Sequence, residues 1–261
     1  MSATIHPNAI VSSKAQLGEN VTIGPFSVVE DDVIILDNTM LQSNNYVANG
    51  TRIGKNCRLF HGAVVGMEPQ DLKYSGEKTG TEVGDYTTIR EYVTIHRGTD
   101  AHYKTIVGRH CFIMAYVHIA HDCVVGNHVI LANAVNMAGH VTIEDHAIVG
   151  GMSPIHQFVR IGRHSMVGGG FRVSKDVPPY VLAGQEPLSF QGLNIVGLRR
   201  RNFSAETIEG LEKMYHTLYQ SKLNVSQAVE AIRKEEHLTS EIRHVLDFIK
   251  ASSRGIIPFR S

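Results

Sequence analysis

The chain of 261 residues carries 25 Lys and Arg against 25 Asp and Glu, and 43% of its residues are hydrophobic. This length suits one large domain or two modest ones. The formal net charge of zero gives no global attraction to nucleic acid or anionic membranes, and it excludes a highly charged disordered protein.

Targeting and membrane segments are not predicted. No apolar run reaches the about 18 residues that a membrane-spanning helix needs. The N-terminal MSATIHPNAI has neither the charged region nor the apolar core of a signal peptide. We therefore expect a cytoplasmic protein without a transmembrane segment.

A period of six organises most of the chain. Val, Ile, Leu or Met occupies 26 of the 29 positions in the register from Ile5 to Val173, and the exceptions are Asp71, Glu77 and Ala101. This period fits neither an amphipathic helix nor a simple alternating strand, but it suits short strands joined by turns. The exceptions lie in two polar stretches, near residues 68–80 and 98–105, which we interpret as loops extruded from a continuous scaffold.

The pattern resembles that of the hexapeptide acyltransferases. The resemblance implies an all-β, left-handed parallel β-helix in which three hexapeptides form one triangular coil, giving about ten coils here. Cys57, Cys111 and Cys123 all lie two places before a register position, so we predict that they are small buried residues. Glycines often follow the register position, and we interpret them as turn residues that supply a permissive backbone.

The register stops after Val173, where paired prolines and a glycine are expected to end the coil. Helical spacing then replaces the period of six, and Ser204 is a candidate N-cap. The apolar stripes are Ile208, Leu211, Tyr215 and Leu218; Val225, Val229 and Ile232; and Ile242, Val245, Leu246 and Ile249. We predict a β-helix over 1–190 and a C-terminal helical domain over 191–261, which could cap the open end of the solenoid.

Histidines suggest a functional corner. Residues three hexapeptides apart should stack, and this count brings four histidines to one corner while placing His61 and His96 one face away. The four are His118, His121, His140 and His156. Asp122 could orient His121 as a general base, provided that a turn brings the two side chains to the same side. Because no GxSxG nucleophile motif is present, we favour direct attack by a substrate hydroxyl over a covalent intermediate.

A more specific resemblance runs in order along nearly the whole chain. The segments are Gln70-Asp71-Leu72-Lys73-Tyr74, IHRGT from Ile95, HIAHDC from His118, LAN from Leu131, AGHV from Ala138, GGM from Gly150, HQF from His156, DVPPYV from Asp176 and the stretch from Asn194 to Arg201. In these segments the chain resembles the UDP-N-acetylglucosamine O-acyltransferases of lipid A biosynthesis. That family moves an (R)-3-hydroxyacyl chain from acyl carrier protein to the sugar 3-hydroxyl, as a homotrimer with active sites between subunits.

The resemblance implies roles for individual residues. His121 matches the general base, Asp122 its orienting carboxylate, and Gly139 the backbone donor to the thioester oxyanion. The positions that match substrate-binding residues are Gln70, Asp71, Lys73, His118, His140, His156, Gln157, Asn194, Arg200 and Arg201. Gly169 matches the acyl-chain ruler, where a glycine leaves the groove open, so we expect a chain of about 14 carbons or more. Val196 departs from the carboxylate of some members and puts one nucleotide contact in doubt.

Other functions remain open from the residues alone. A zinc enzyme like the γ-class carbonic anhydrases would use three neutral imidazoles on a similar solenoid. An acetyl-CoA-dependent hexapeptide acetyltransferase and a non-catalytic scaffold are further alternatives. For the preferred function we expect no metal, no organic cofactor and no nucleic-acid partner.

Overall fold

The computed structural model describes residues 2–235 and 237–259 and builds them from 27 short strands and four helices. In chain order the strands are β1 (Thr4–Ile5), β2 (Ile10–Val11), β3 (Gln16–Leu17), β4 (Thr22–Ile23), β5 (Val28–Val29), β6 (Val33–Ile35), β7 (Met40–Leu41), β8 (Tyr46–Val47), β9 (Thr51–Ile53), β10 (Arg58–Leu59), β11 (Val64–Met67), β12 (Gly80–Val83), β13 (Thr88–Ile89), β14 (Thr94–His96), β15 (Lys104–Val107), β16 (Phe112–Ile113), β17 (His118–Ile119), β18 (Val124–Val125), β19 (Ile130–Leu131), β20 (Asn136–Met137), β21 (Thr142–Ile143), β22 (Ile148–Val149), β23 (Pro154–Ile155), β24 (Arg160–Ile161), β25 (Met166–Val167), β26 (Val181–Gly184) and β27 (Ser189–Leu193). The helices are α1 (Ile195–Arg200), α2 (Ala205–Gln220), α3 (Val225–Arg233) and α4 (Ser240–Lys250).

The strands form the three faces of a prism. Face A is an 11-stranded sheet that begins with β1 and β4, face B an 8-stranded sheet that begins with β2 and β5, and face C an 8-stranded sheet that begins with β3 and β6. Apart from β26 and β27, successive strands of a face pair in parallel, and Ile113 pairs with Leu131, three hexapeptides later. Each coil of the chain therefore adds one strand to every face.

The register positions fill the interior of the prism. From Ile23 to Val173 their aliphatic side chains are almost completely buried, whereas Ile5 in the first coil is 43% exposed. The three cysteines are also buried, as predicted. Burial raises the pKa of the Cys57 and Cys111 thiols to about 11 and that of Cys123 to about 12, so these groups stay neutral packing residues.

Two loops leave the prism at neighbouring coils. The first, 68–79, connects β11 to β12, and the second, 97–103, connects β14 to β15. Each adds a whole number of hexapeptides, because Val65 pairs with Ile95 and Ile95 with Ile119. The period of six therefore survives both insertions.

The second loop also changes which histidines are neighbours. It shifts the coil count by one hexapeptide, so His96 lies on face B beside His118, with ring centroids 4.9 Å apart. The prediction that placed His96 one face away is wrong. The simple count assumed that every coil has 18 residues. A coil that contains an inserted loop is longer, so residues on the two sides of the loop can be aligned only when the loop length is known.

The glycines that follow register positions have a different role from the one expected. The positive φ angles at the corners belong mostly to Asn, His, Tyr and Phe, as at Asn38 (58°) and His128 (56°). A Cβ on Gly108 would lie 2.5 Å from the Gly126 carbonyl oxygen of the next coil. These glycines are needed mainly because neighbouring coils approach closely, so the interpretation as turn residues is wrong for most of them.

The solenoid continues past Val173, the last residue of the hexapeptide register. Val173 forms a bridge to Ile155, Val177 forms one to Ile161, and β26 pairs with β25 in parallel. The paired prolines lie in the turn before β26, where a missing N–H costs no ladder hydrogen bond. The antiparallel strand β27 then covers the edge of β26.

The C-terminal segment contains the three predicted helices and one more. Ser204, Asn224 and Thr239 cap α2, α3 and α4, and their side chains accept hydrogen bonds from the first turn of each helix. The additional helix α1 is short and ends with Arg199 and Arg200. Among the described residues, no helix combines the length and apolarity required to cross a membrane.

Helix α2 attaches this segment to the last coil. The buried Tyr215 hydroxyl donates a 2.5 Å hydrogen bond to the Pro179 carbonyl, and Phe190 of β27 stacks on the same tyrosine ring. The helices thus cover the C-terminal end of the solenoid. The predicted domain boundary at residue 190 lies inside β27, and the division into two domains stays a prediction.

A ladder of stacked rings follows the corner between faces C and A. Its rungs are Tyr86, His110, His128, His146, His164 and Tyr180, with centroid separations from 4.6 to 5.7 Å. Burial, with added repulsion from His146, Arg201 and Arg163, lowers the pKa of His164 to about 3. Burial also lowers the pKa of His128 and of His146. His128, His146 and His164 are therefore packed as neutral rings.

We expect the free energy of unfolding to decrease as pH falls below about 6.5, the ordinary histidine pKa. Because the pKa of His164 is lower in the folded protein, the unfolded chain binds the proton more readily. The contribution of the neutral His164 to the stability of the fold is therefore complete above about pH 6.5 and is lost as pH falls towards about 3. In thermal unfolding experiments, Tm at about pH 5 should be roughly a few degrees lower than Tm at about pH 8. His164→Phe keeps the ring stack and should reduce this loss; an unchanged loss would contradict the assignment to His164.

Candidate active site

The candidate site lies at the corner between faces B and C. His121 and Asp122 follow β17 and precede β18, and His140 occupies the same corner one coil later. Asp122 and His140 have φ angles of 58° and 61°. The chain bends there, so the side chains of His121 and Asp122 meet although the two residues are adjacent.

His121 and Asp122 form a hydrogen-bonded dyad. Nδ1 of His121 lies 2.8 Å from Oδ2 of Asp122. Because an ionised carboxylate can only accept, Nδ1 carries the hydrogen and Nε2 keeps a free lone pair. Burial raises the pKa of Asp122, but hydrogen bonds from Thr99 and His121 outweigh it and hold that pKa below its ordinary value. The dyad therefore has the protonation pattern of a general base and its orienting carboxylate.

Gly139 lies against the ring of His121. A Cβ at Gly139 would lie 2.5 Å from Cε1 and 2.6 Å from Nε2 of His121, so this position accepts no side chain while the ring stays in place. Among residues 2–235 and 237–259, no acceptor forms a hydrogen bond with the Gly139 N–H. A donor next to the basic nitrogen is thus available to a developing oxyanion.

The two extruded loops close one side of the site. Asp71 points its Oδ2 at Nε2 of His121 from 3.9 Å, and the backbone N–H of Lys73 donates to Asp71 Oδ1. Together the loops and His140 enclose a polar cavity of about 180 Å³. Lys73 lines this cavity, and both Lys73 and Gln70 of the same loop are exposed. A larger groove of about 670 Å³ runs along face C, and its lining residues include no His, Ser, Thr or Cys.

Further histidines surround the dyad. Nδ1 of His118 shares a 2.7 Å hydrogen bond with the Thr94 hydroxyl, and burial lowers the pKa of His118. The ring of His140 stacks on Phe158, and burial lowers its pKa as well. These rings are therefore neutral near pH 7 and can donate or accept hydrogen bonds.

Two predicted substrate residues are exposed further along the same corner. His156 and Gln157 follow β23, and Nδ1 of His156 lies 3.2 Å from the Gln157 carbonyl oxygen. They lie one coil beyond His140. The structure therefore groups His118, His121, Asp122, Gly139, His140, His156 and Gln157 along one edge of the prism.

The predicted nucleotide residues lie at a different corner. Nε of Arg201 donates to Nδ1 of His146, in the ladder between faces C and A, and Arg200 is exposed nearby. Asn194 caps α1 with its side-chain oxygen and donates to the His164 carbonyl with its side-chain nitrogen. Asn194 therefore has an internal role, and its contact with a nucleotide stays a prediction.

Gly169 lies at the corner between faces A and B, across face B from the dyad. It is exposed, and a Cβ there would lie 3.1 Å from the Gly151 carbonyl oxygen. A side chain at this exposed position would therefore begin in tight contact with the backbone of the preceding coil. This placement is compatible with a limit on chain length.

Sequence reasoning missed two contributors to the site. Thr99 hydrogen-bonds to Asp122, and the ring of His102 packs edge-on against His140 with centroids 5.6 Å apart. Both belong to the loop 97–103, which breaks the period of six. Thr99 also ends the IHRGT segment that carries the family resemblance, but no role was predicted for it. A loop that interrupts a repeat beside a histidine cluster was the available clue.

A metal ion could only use part of this cluster. His121, Asp122 and His140 offer three ligand atoms within 4.8 Å of one another. The Asp122 carboxylate already accepts hydrogen bonds from Thr99 and His121, and Nε2 of His140 lies 3.9 Å from its Oδ2. This set lacks the third imidazole of a three-histidine zinc site, so it resembles an oriented base more than a metal centre.

Comparisons with known proteins agree with this arrangement. Residues 176–257 match the family described as UDP N-acetylglucosamine O-acyltransferase, domain 2, and residues 104–139 match the bacterial transferase hexapeptide. An acyl-acyl-carrier-protein UDP-N-acetylglucosamine O-acyltransferase of Chlorobaculum parvum is 52% identical over 263 residues, covering 99% of this chain and 100% of the relative. The protein of the same name from Thermodesulfovibrio yellowstonii is 48% identical, covering 97% of this chain and 98% of the relative.

Solved structures give the same result. The UDP-N-acetylglucosamine acyltransferase of Bacteroides fragilis superposes with a TM-score of 0.94 at 45% identity, covering 97% of this chain and 99% of that one. The enzyme of Campylobacter jejuni superposes with a TM-score of 0.93 at 37% identity, covering 98% and 100%. The predicted left-handed parallel β-helix with C-terminal helices is confirmed. The chain therefore belongs to the UDP-N-acetylglucosamine O-acyltransferase family.

Proposed function

We propose that the protein transfers an (R)-3-hydroxyacyl chain from acyl carrier protein to the 3-hydroxyl of UDP-N-acetylglucosamine, the first step of lipid A biosynthesis. The observation that carries the proposal is the dyad at the corner of faces B and C. Nδ1 of His121 is bound to Asp122, and Nε2 faces the substrate space. The N–H of Gly139, which has no acceptor among the described residues, lies beside the ring. The reaction belongs in the cytoplasm, where the carrier protein is.

The proposed chemistry is a direct acyl transfer. Nε2 of His121 accepts the proton of the 3-hydroxyl as its oxygen attacks the thioester carbonyl carbon. The tetrahedral oxyanion accepts a hydrogen bond from Gly139, and the imidazolium is stabilised by Asp122. The intermediate then expels the carrier thiolate, which takes the proton from the imidazolium, and the ester is formed without a covalent enzyme intermediate.

The surrounding residues bind the two substrates in this proposal. Asp71 faces Nε2 of His121, so it borders the space in which the attacking sugar hydroxyl must lie. Gln70 and Lys73 contact the substrate from the loop 68–79, and His118, His140, His156 and Gln157 line the path of sugar and acyl chain. Arg200 and Arg201 bind the diphosphate, because guanidinium groups offer paired, charge-assisted donors, and Asn194 belongs to the same end.

We further propose a homotrimer whose active sites are shared between subunits. In one chain Arg201 and His121 lie at different corners of the prism. Helix α4 lies over the part of face C between them, where His244 binds Glu144 at 2.7 Å and Phe248 packs on Arg160. One sugar nucleotide reaches both groups most simply when the arginine comes from a neighbouring chain.

Mixing two inactive variants tests this arrangement. His121→Ala and Arg201→Ala subunits, co-refolded or co-expressed, should recover activity, because hybrid trimers contain sites with both native residues. About one fifth to one third of wild-type activity is expected if exchange is random. Activity that stays at the level of the separate variants would contradict a shared site.

An assay with purified protein tests the function itself. We expect product from (R)-3-hydroxyacyl carrier protein and UDP-N-acetylglucosamine, with a preference for chains of about 14 carbons or more because Gly169 leaves the groove open. Turnover only with the 3-amino sugar analogue would move the specificity to the exposed Val196. A clear preference for a chain of about 10 carbons would overturn the assignment of Gly169. No turnover with either sugar would overturn the proposed function.

A further inference from the structure

The Asp122 carboxylate is buried and fully engaged. Its side chain has 0% exposure, so its hydrogen bonds come from protein groups. Oδ1 accepts from the Thr99 N–H at 2.9 Å, and Oδ2 accepts from the Thr99 hydroxyl at 2.6 Å and from Nδ1 of His121 at 2.8 Å. Thr99 therefore supplies a hydrogen bond to each carboxylate oxygen.

The carboxylate has a competing histidine. Nε2 of His140 lies 3.9 Å from the same Oδ2 that binds His121. A rotation of the Asp122 carboxylate could therefore exchange one imidazole for the other. Thr99 lies 23 residues before Asp122, and its N–H and hydroxyl donate to different carboxylate oxygens. These two hydrogen bonds fix the plane of the carboxylate. In that plane Oδ2 faces His121.

The loop that carries Thr99 is itself braced. The Thr99 carbonyl accepts from the Tyr103 N–H at 2.7 Å, and its hydroxyl also accepts from the Ala101 N–H at 3.3 Å. At the start of the loop, the Gly98 N–H donates to the Gly80 carbonyl. Thr99 is 6% exposed, so water does not compete for its hydroxyl to any large extent. A threonine in a rigid, buried turn is suited to hold a partner in one orientation.

We propose that Thr99 is a positioning residue for acyl transfer, holding Asp122 towards His121 and away from His140. This inference rests on the proposed function, in which His121 is the base. In this role Thr99 acts on His121 only through the Asp122 carboxylate, to which its N–H and hydroxyl donate. Its effect should therefore be on the rate of the chemical step and not on the affinity for either substrate.

The test compares Thr99→Val with Thr99→Ser in the purified full-length protein. Valine keeps the shape and the backbone donor but removes the hydroxyl, and kcat should fall about 10-fold to 100-fold with KM for both substrates within about 2-fold. Serine keeps the hydroxyl, and kcat should stay within about 3-fold of the wild type. If the valine variant does not fold, Thr99→Ala removes the same hydroxyl without adding a methyl group.

A double-mutant cycle separates positioning from general damage. In an Asp122→Asn background, Thr99→Val should lower the residual kcat by less than about 2-fold, because the carboxylate that Thr99 orients is gone. Thr39→Val is the matched control: Thr39 is equally buried and its hydroxyl donates to the Gly54 carbonyl, in a coil remote from the site. That control should leave kcat unchanged.

The outcomes distinguish this inference from the proposed function. An unchanged kcat in Thr99→Val, or an equal loss in the wild-type and Asp122→Asn backgrounds, would overturn the positioning role. If His121→Ala also kept its rate, the proposed chemistry would fall with it. If His121→Ala lost its rate while Thr99→Val did not, only the role of Thr99 would be rejected.

Discussion

His121→Ala should lower kcat for acyl transfer by about 10²-fold to 10⁴-fold, the range attributed to general bases. In the wild type, Nε2 of His121 faces the substrate space near Asp71. Without this nitrogen the 3-hydroxyl would have to lose its proton to water. KM should change less than kcat, because the base acts in the transition state. Initial rates with acyl carrier protein donor and UDP-N-acetylglucosamine measure both constants.

His61→Ala is the matched control for this variant. His61 lies at the corner between faces A and B, where its Nδ1 bonds to the Ser43 hydroxyl, and it takes no part in the proposed chemistry. Its rate should equal that of the wild type. A folded His121→Ala protein with an unchanged rate would remove the proposed mechanism and would favour a scaffold function.

Gly139→Ala should lower kcat by about 10²-fold although it adds a single methyl group. The new Cβ would stand 2.5 Å from Cε1 of His121, and the ring cannot retreat without breaking its hydrogen bond to Asp122. Either the base moves or the turn moves, and in both cases the N–H of Gly139 and Nε2 of His121 lose their relative placement. Steady-state kinetics and a Tm measurement distinguish this local effect from unfolding.

Gly210→Ala provides the comparison for Gly139→Ala. Gly210 lies in helix α2, and its Cβ would make an ordinary contact of 3.9 Å with Cδ1 of Ile242. Alanine favours the helix over glycine, so Tm should rise slightly while kcat stays unchanged. Wild-type kcat in Gly139→Ala would mean that the His121 ring does not need its present position.

The hexapeptide count predicted where part of the site lies. His118, His121, His140 and His156 lie along one edge of the prism, as the count of hexapeptides indicated. The same count failed for His96, because the loop 97–103 adds a hexapeptide between it and His118. Counting works only between residues that are joined by equal coils.

The glycines illustrate a second limit. The recurrence of glycine after register positions is visible in the sequence, but its cause is not. At Gly108 and Gly150 the backbone of the next coil leaves no room for a Cβ. The turns themselves use residues such as Asn38 and His128 at positive φ. Contacts between coils are absent from any single hexapeptide, so a local interpretation assigned the glycines to turns.

The sequence by itself determined the solenoid of short strands and the helical tail, and the family resemblance added its three stacked faces. Each inward position meets the same narrow apolar interior, so the same side-chain types must recur every sixth residue, and a change of period marks the end of that interior. Only the tertiary structure decided the details of the site. The hydrogen bonds from Thr99 to Asp122 depend on the path of a loop that has no periodic signal, and the contact of Gly139 with His121 depends on the spacing of two coils.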